Sequence, residues 1–340
     1  MKAAVVTKFG PPSVLQIRDV PDPEPAEHQV LVKVKCIGLN FAEILGRLGI
    51  YPSIPDPPFV PGIEFSGVVE RTGARVRGFK RGDRVAGFSK QGSYAEFVCV
   101  DRNHIVRMPP KMSFDHGAAL TVAYLSAYHG LVTLANARRG EKLLIHAAAG
   151  GVGIATIQIA KFLGMEIFGT VGSDEKAGFA VDAGADHVIN YSTQDFSKEI
   201  LARTNGYGID VVMDSVGGSV FRKGWNMLAP MGRYVLYGFA SVTGKGGLNR
   251  LKMYKEALKV PLIFPPGIPS RNVALMGFNL YFLTHKKAYF GRATRQLITW
   301  YRKNIIKPHI GATFRFDDIV SAHEYLQTRK SVGKVVVRVS

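Results

Sequence analysis

Cysteine is scarce in this chain of 340 residues, which contains two, Cys36 and Cys99. Two cysteines cannot build a disulfide scaffold and are too few for a structural zinc site made of thiolates. The sequence also lacks a basic head, an apolar run and a small-residue cleavage site in succession, so we expect no secretory signal and predict a cytoplasmic protein. The longest weakly charged stretch, Leu143 to Ala160, contains a histidine, a glutamine and three glycines. That composition predicts a strand, a turn and a helix rather than a membrane span.

Acidic residues are also scarce, because 26 Asp+Glu face 44 Lys+Arg and leave a net charge of +18. The imbalance is concentrated from Gly244 to Ile310, where thirteen Lys/Arg accompany one acid, Glu256, for a local charge of +12. A solvated basic face and an anion-attracting surface beside a binding site both fit this pattern. Nucleic acid, a membrane surface and an acidic ligand therefore stay open as partners.

The hydrophobic pattern changes twice along the chain. Residues 1–120 contain short β-branched runs separated by many prolines and glycines, which predicts a small barrel or sandwich. Residues 121–280 alternate short apolar strands with helical segments, which predicts a doubly wound parallel sheet. Residues 281–340 are too short for a domain, so we expect them to complete the N-terminal one. The predicted fold class is therefore α/β with an additional β-rich domain, divided as 1–120 with 281–340, and 121–280.

A glycine-rich turn directly follows the strand predicted at Lys142 to His146. The sequence of the turn is Ala147-Ala148-Ala149-Gly150-Gly151-Val152-Gly153, and a helix with apolar residues at helical spacing follows it. Glycine lets the backbone turn tightly and approach a pyrophosphate, while the helix N-terminus offers unpaired N–H groups. We therefore predict a dinucleotide site that includes Ala149, Gly150, Gly151, Val152 and Gly153.

The end of the next strand indicates which dinucleotide is bound. An NAD site usually carries an acid about 20 residues beyond the glycine turn, on the ribose hydroxyls. Here the small Ser173 precedes Lys176, which we expect to neutralise a 2′-phosphate at the start of a helix over 176–183. Tyr191, after the third strand, is placed to contact the adenosine end. NADPH is the predicted cofactor, although Asp174 or Glu175 would favour NADH if the register shifted by one residue.

The sequence resembles the zinc-independent medium-chain dehydrogenases/reductases, in the quinone oxidoreductase branch that includes zeta-crystallin. The resemblance extends over essentially the whole chain, and several segments are similar to the vesicle amine-transport protein homologues within that branch. The segments that carry it are Gly38–Ala42, Pro61–Val69, Gly82–Val85, Gly150–Gly153, Val188–Tyr191, Val212–Gly218, Met276–Leu280, Lys307–Ile310 and Val332–Val335.

The resemblance implies a GroES-like domain, a Rossmann domain and a set of pocket residues. Asn40, Tyr51 and Thr121 match pocket positions, and their side chains are candidate donors to the oxygen of the hydride acceptor. Asn40 and Thr121 would also line the nicotinamide end of the cofactor. The further implied cofactor contacts are Gly238, Phe239, Ala240, Phe278, Asn279 and Lys334. A homodimer through the edge of the Rossmann sheet, at Val273 to Leu280, is also implied.

The resemblance further implies that no metal is bound. Where zinc-dependent relatives have a cysteine, a histidine followed by a glutamate, and a further cysteine, this chain has Asn40, Ile63 with Glu64, and residues 120–124 without Cys or His. The nine histidines show no ligand spacing. Without a metal, hydrogen bonds must polarise the acceptor.

The function predicted on this basis is hydride transfer from NADPH to a quinone or an α,β-unsaturated carbonyl compound. The alternative is a protein that keeps the reductase fold with little turnover and binds RNA or a membrane surface. Aromatic residues interleave with the basic ones between 244 and 310, as stacking on single-stranded RNA would require. An apolar, proline-rich loop at Leu258–Ile268 could cover the substrate, contact a second subunit or touch lipid.

Overall fold

β-Branched runs and breakers divide the chain into two compact units. A computed structural model describes residues 1–52, 54–244, 247–248, 255–256, 258–260, 263 and 265–339. We call Met1–Leu125 with Tyr281–Ser340 the N-terminal unit, and Ser126–Leu280 the central unit. The boundary expected at 120/121 lies inside a helix, and the division falls a few residues later in that same helix.

Within the described residues, the strands are β1 (Lys2–Val6), β2 (Leu15–Asp19), β3 (Gln29–Leu39), β4 (Glu64–Thr72), β5 (Arg84–Phe88), β6 (Phe97–Asp101), β7 (Ile105–Arg107), β8 (Lys142–Ile145), β9 (Glu166–Val171), β10 (His187–Asn190), β11 (Ile209–Asp214), β12 (Leu228–Leu236), β13 (Thr243–Gly244), β14 (Gly247–Leu248), β15 (Ala274–Gly277), β16 (Ile310–Arg315) and β17 (Lys334–Arg338). The helices are α1 (Phe41–Arg47), α2 (Phe114–Tyr128), α3 (Gly151–Leu163), α4 (Asp174–Asp182), α5 (Phe196–Arg203), α6 (Ser219–Asn226), α7 (Gly267–Arg271), α8 (Lys287–Arg302) and α9 (Ile319–Gln327).

The N-terminal unit is built around the long strand β3, whose apolar residues are almost all buried. The main sheet has the order β16-β17-β3-β4-β5-β7, and β6 also pairs with β3. Strand β17, from the end of the chain, pairs antiparallel with β3, and residues from Tyr281 onward belong to this unit. Helix α1 was missed in the sequence, because it is a single short element between two proline-rich segments.

The central unit is a six-stranded parallel sheet in the order β10-β9-β8-β11-β12-β15. The predicted Rossmann class is confirmed, and β15 is the edge strand within the described residues. The apolar run at Arg233–Tyr237 predicts a strand there, and in the structure β12 already begins at Leu228. Helix α4 begins at Asp174 rather than at Lys176. In α4, Ser173 is the N-cap, so Lys176 lies within the first turn instead of opening the helix.

The most apolar long helix of the described chain runs from Phe114 to Leu134 as α2 and the wider helical turn that continues it. Its length and hydropathy would suffice to cross a membrane, and 72% of its most apolar window is buried inside the protein. Burial of this kind is usual for a core helix.

The basic segment predicted at 244–310 is divided between the two units. Lys245, Arg250 and Lys252 lie outside the described residues, as do Pro261, Leu262 and Phe264 of the apolar loop. Among the described cations, Lys259 pairs with Glu256 at 2.6 Å in the central unit. Lys287, in the N-terminal unit, pairs with Asp101 at 2.7 Å. The described cations of the segment are therefore distributed over both units.

Candidate active site

The glycine-rich turn connects β8 to α3 in the central unit. Ala147 adopts a positive φ of 53°, and Gly150 is the N-cap of α3 with no side-chain cap hydrogen bond. A Cβ on Gly153 would lie 2.3 Å from the carbonyl oxygen of Ala147 and 2.4 Å from that of Ala148. Only glycine therefore fits at 153, because the first turn of α3 packs directly against the turn backbone. The uncapped N-terminus of α3 leaves amide groups for an anion.

This turn lies at the point where the strand order of the parallel sheet reverses. β8 has β9 on one side and β11 on the other, because the chain adds β9 and β10 on one side of β8 and then returns to place β11 on the other side. Dinucleotides bind at such crevices beyond the carboxyl ends of the strands. All the predicted cofactor residues of the central unit follow the carboxyl ends of β8, β9, β10, β12 or β15, and they are Ala149, Gly150, Gly151, Val152, Gly153, Ser173, Lys176, Tyr191, Gly238, Phe239, Ala240, Phe278 and Asn279.

The segment after β12 runs closely beside the end of β11. The amides of Tyr237 and Ala240 donate to the carbonyl oxygens of Asp214 and Ser215, both at 2.9 Å. A Cβ on Gly238 would lie 2.8 Å from the carbonyl oxygen of Ser215, so this approach also requires glycine. The backbone from 238 to 240 is thereby held at the strand ends, and the Phe239 side chain is 54% exposed.

The ring of Phe278 is fixed by two aromatic neighbours in the central unit. It stacks on Tyr237 with 5.6 Å between centroids and meets His129 edge-on at 4.9 Å. Phe278 also donates its amide to the carbonyl oxygen of Leu236 at 3.2 Å. The predicted contacts after β12 and after β15 are therefore held together by direct packing.

Ser173, Lys176 and Tyr191 lie around the start of α4. A Cβ on Gly172 would be 2.7 Å from the Tyr191 hydroxyl, so the tyrosine covers the end of β9. The pKa of Lys176 is lowered by burial, and the negative charge of Glu175 offsets only part of this shift. The carboxylate of Asp174, which would favour NADH, accepts a hydrogen bond from Asn190 Nδ2 at 2.9 Å.

In the N-terminal unit, three of the predicted site residues converge on Glu64, a fully buried carboxylate. Lys334 Nζ lies 2.5 Å from Glu64 Oε2 and 2.6 Å from Asn40 Oδ1. Thr121 Oγ1 lies 3.0 Å from Glu64 Oε1, which also accepts from the amide of Val122 at 2.6 Å. We call Asn40, Glu64, Thr121 and Lys334 the Glu64 cluster.

The Glu64 cluster uses the hydrogen-bond donors of Asn40 and Thr121 inside the protein. The carboxamide of Asn40 donates to the carbonyl oxygen of Gly38 at 3.1 Å and to Glu64 at 3.3 Å. The Thr121 hydroxyl has one proton and two acceptors at 3.0 Å, Glu64 Oε1 and the carbonyl oxygen of Gly87. In this structure the donors of both side chains are therefore directed at acceptors within the protein, and their role towards a substrate oxygen stays a prediction.

The structure places the ammonium of Lys334, which was expected near the cofactor, beside Glu64, with the side chain 5% exposed. Gly38 makes room for it, since a Cβ there would lie 2.9 Å from Lys334 Cε and 1.9 Å from the carbonyl oxygen of Ala118. Removing the ammonium would leave a buried carboxylate without its cation.

A second buried chain of hydrogen bonds starts at Glu43 in α1. Its carboxylate accepts from the amides of Asn40 at 2.6 Å and Ile63 at 2.8 Å, and from the Tyr94 hydroxyl at 3.0 Å. Because Tyr94 donates to Glu43, His323 Nε2 donates to the Tyr94 oxygen at 3.0 Å, and His323 Nδ1 has no partner in the described structure. Burial raises the pKa of Glu43 to about 7 and, together with Arg47, lowers the pKa of His323 to about 3.

Tyr51 lies in the turn region after α1, half-buried, with its ring edge-on to that of Tyr281 at 6.4 Å. Its predicted catalytic role stays a prediction, as do the roles of the other site residues.

Glu43, Glu64, Tyr94 and His323 were not among the predicted site residues. One feature of the sequence could have identified the pair: Glu64 and Lys334 are charged residues, each at the start of an apolar strand. A buried charge must be paired, so two such charges in one predicted domain are candidates for each other.

The described residues contain no group of three or more His, Cys, Asp or Glu side chains placed to hold a metal ion. Asn40 stands where zinc-dependent relatives have a cysteine, and Glu64 follows Ile63 at the histidine position. Both Asn40 and Glu64 contact the Lys334 ammonium.

Comparison with protein families gives two matches. The zinc-binding dehydrogenase family matches residues 183–337, and the alcohol dehydrogenase GroES-like domain family matches residues 26–110. The synaptic vesicle membrane protein VAT-1 homolog of Rattus norvegicus is 35% identical over 99% of this chain and 84% of its own length. Quinone oxidoreductase of the same species is 32% identical over 99% of this chain and 97% of its own length.

Two solved structures resemble the chain closely in backbone. Escherichia coli quinone oxidoreductase complexed with NADPH has a TM-score of 0.87 at 29% identity, and the match covers 99% of this chain and 100% of that one. CurK enoyl reductase has a TM-score of 0.85 at 30% identity, with 100% and 99% coverage.

Proposed function

Since the chain belongs to the zinc-independent quinone oxidoreductase branch of the medium-chain dehydrogenases/reductases, we propose that it reduces quinones or α,β-unsaturated carbonyl compounds with NADPH. The coarser assignment, an NADP(H)-binding oxidoreductase, follows from that membership. The observation that carries the proposal is the uncapped N-terminus of α3, against which Gly153 lets the turn backbone pack directly.

The residues of the central unit fit a phosphorylated dinucleotide. The turn at Gly150–Gly153 would hold the pyrophosphate with backbone amides and the α3 dipole. Ser173 and Lys176 would hold the 2′-phosphate, since Asp174 is engaged by Asn190. NADPH, when bound, supplies a hydride from its nicotinamide C4.

The proposed role of the protein's own residues is to orient the hydride acceptor and to provide a proton. Hydride addition to a quinone or enone leaves negative charge on the acceptor oxygen, which a hydrogen-bond donor stabilises. Tyr51 is the proposed donor, because the donors of Asn40 and Thr121 are satisfied within the Glu64 cluster. Asn40 and Thr121 become positioning residues, and water or Tyr51 returns the proton.

We also propose a homodimer through the edge strand β15. Leu275 on this strand is 42% exposed, and Met231, whose amide donates to the Asn272 carbonyl oxygen just before it, is 72% exposed. An edge strand with exposed apolar side chains favours association with another chain.

Binding of the two nicotinamide cofactors tests the cofactor assignment. NADPH is expected to bind at least about tenfold more tightly than NADH, and Lys176→Ala is expected to remove about that factor for NADPH while leaving NADH unchanged. The matched control is Lys198→Ala, an exposed lysine on α5 of the same unit. Equal affinity of the wild-type protein for both cofactors, by isothermal titration calorimetry, would contradict the assignment.

A further inference from the structure

An aromatic group in the N-terminal unit brings together residues that are far apart in sequence. Tyr51 follows α1, whereas Tyr281 and Phe282 open the returning segment. The rings of Tyr51 and Tyr281 meet edge-on at 6.4 Å, and those of Tyr281 and Phe282 at 5.4 Å. Phe282 is 50% exposed, so part of this apolar surface faces solvent. We call Tyr51, Tyr281 and Phe282 the aromatic wall.

The ammonium group of a lysine lies over one ring of the aromatic wall. Lys90, in the turn after β5, places Nζ 5.5 Å from the ring centroid of Tyr281. No carboxylate of the described residues lies within ion-pair distance of this ammonium. A cation over a ring is held weakly and keeps its charge available to an anion.

The wall is anchored to the body of the N-terminal unit. The carbonyl oxygen of Thr284, just after the wall, accepts a hydrogen bond from His104 Nε2 at 3.0 Å. Burial lowers the pKa of His104, which favours the neutral ring. That ring packs on Phe88 at 4.6 Å, and Phe88 in turn packs on Phe290 at 4.8 Å. The segment that carries Tyr281 and Phe282 is therefore held in place by this hydrogen bond and by the packed rings beneath it.

We propose that the aromatic wall and Lys90 form a binding site for planar aromatic acceptors that carry an anionic substituent, such as a sulfonate or carboxylate. The ring of the ligand packs against Tyr51, Tyr281 and Phe282, while its anion pairs with the Lys90 ammonium. This inference deepens the proposed function, on which it rests, by naming the substrate class that the site prefers.

A binding experiment tests the site without turnover. The probe is naphthalene-2-sulfonate, compared with neutral 2-naphthol, by calorimetric titration of the full-length protein. The sulfonate is expected to bind the wild-type protein more tightly, and Lys90→Met to weaken it by roughly three- to fivefold while changing 2-naphthol by less than about twofold. Lys111→Met, an exposed lysine of the same unit, is the matched control and should change neither affinity.

Tyr281→Leu should weaken both probes, since both lose the ring contact. Equal affinity of wild-type protein for the two probes, or equal loss in the Lys90 and Lys111 variants, would overturn the proposal.

Turnover separates this inference from the proposed function. With NADPH, KM for 1,2-naphthoquinone-4-sulfonate should rise roughly three- to fivefold in Lys90→Met, while KM for 1,4-naphthoquinone stays within about twofold. Reduction of both quinones with no selective effect of Lys90→Met would contradict the proposed binding site and leave the proposed reductase function standing. Selective binding of the sulfonate without reduction of any quinone would contradict the proposed reductase function and support the proposed binding site.

Discussion

Lys334 and Glu64 form a buried pair of opposite charges that comes from residues 270 positions apart in sequence. Breaking such a pair from one side costs more than the pair itself contributes, because the remaining charge stays buried and unpaired. The same contacts fix the Asn40 carboxamide and the Thr121 hydroxyl. At the scale of single residues, one ion pair therefore holds together the candidate site residues of the Glu64 cluster.

Substitution of either partner of this pair has a defined expected cost. Lys334→Met should lower the free energy of unfolding by about 3–5 kcal/mol. Lys334→Met with Glu64→Gln should recover much of that loss, because no buried charge remains. Urea denaturation of both variants checks this. A double variant less stable than Lys334→Met would contradict the assignment of the cost to an uncompensated Glu64.

Glu43 gives the stability a pH dependence. Its pKa is raised from 4.5 to about 7 in the folded protein, so between these values the folded state holds a proton that the unfolded state has lost. Stability from this group therefore falls as pH rises through the window and is fully lost above it.

Glu43→Gln removes this titration. Its free energy of unfolding, relative to that of the wild-type protein, should rise by roughly 3 kcal/mol from about pH 4.5 to about pH 8. Urea denaturation at several pH values measures the difference, and the contribution of His323 is common to both proteins. A difference independent of pH would show that Glu43 titrates normally.

At the scale of elements, the turn between β8 and α3 depends on Gly153. Gly153→Ala should lower the free energy of unfolding by about 1–3 kcal/mol, because a Cβ would overlap the carbonyl oxygens of Ala147 and Ala148. NADPH affinity should fall with it, since α3 must shift away from the turn. Thermal unfolding and calorimetric titration measure the two effects.

Gly178→Ala is the matched control in the same unit. Gly178 lies in α4, and a Cβ at this position would meet no neighbouring atom within 4 Å, so alanine should stabilise the helix by up to about 1 kcal/mol. Equal behaviour of the two variants would mean that the close packing at 153 does not matter.

The elements were predictable wherever their pattern was local. Strand–helix alternation identified the sheet, and the glycine turn lies where its motif placed it. The start of β12 was missed because Pro230 and Gly232 interrupt its pattern, yet the strand continues through them. The Glu64 cluster was missed because hydrophobic periodicity reports burial but not which buried charges meet across the fold. Lys334 shows the difference, since the apolar run Val332–Val339 predicts its strand but not its partner.

At the scale of the whole molecule, the net charge of +18 has no single location. The basic segment crosses from the central unit into the N-terminal unit at Leu280, and some of its described cations are paired with acids. Under the proposals above, Lys176 would face a phosphate of the cofactor and Lys90 an anionic group of the substrate.

The central claim is hydride transfer, and deuterium labelling tests it most directly. The protein is incubated under nitrogen with NADPH deuterated at C4 and with quinones and aryl enones in turn, and the products are analysed by mass spectrometry. We predict equimolar loss of NADPH and acceptor, with deuterium retained on carbon in the product of any enone that reacts. A protein that binds NADPH but accelerates its oxidation by no acceptor of either class would contradict the account.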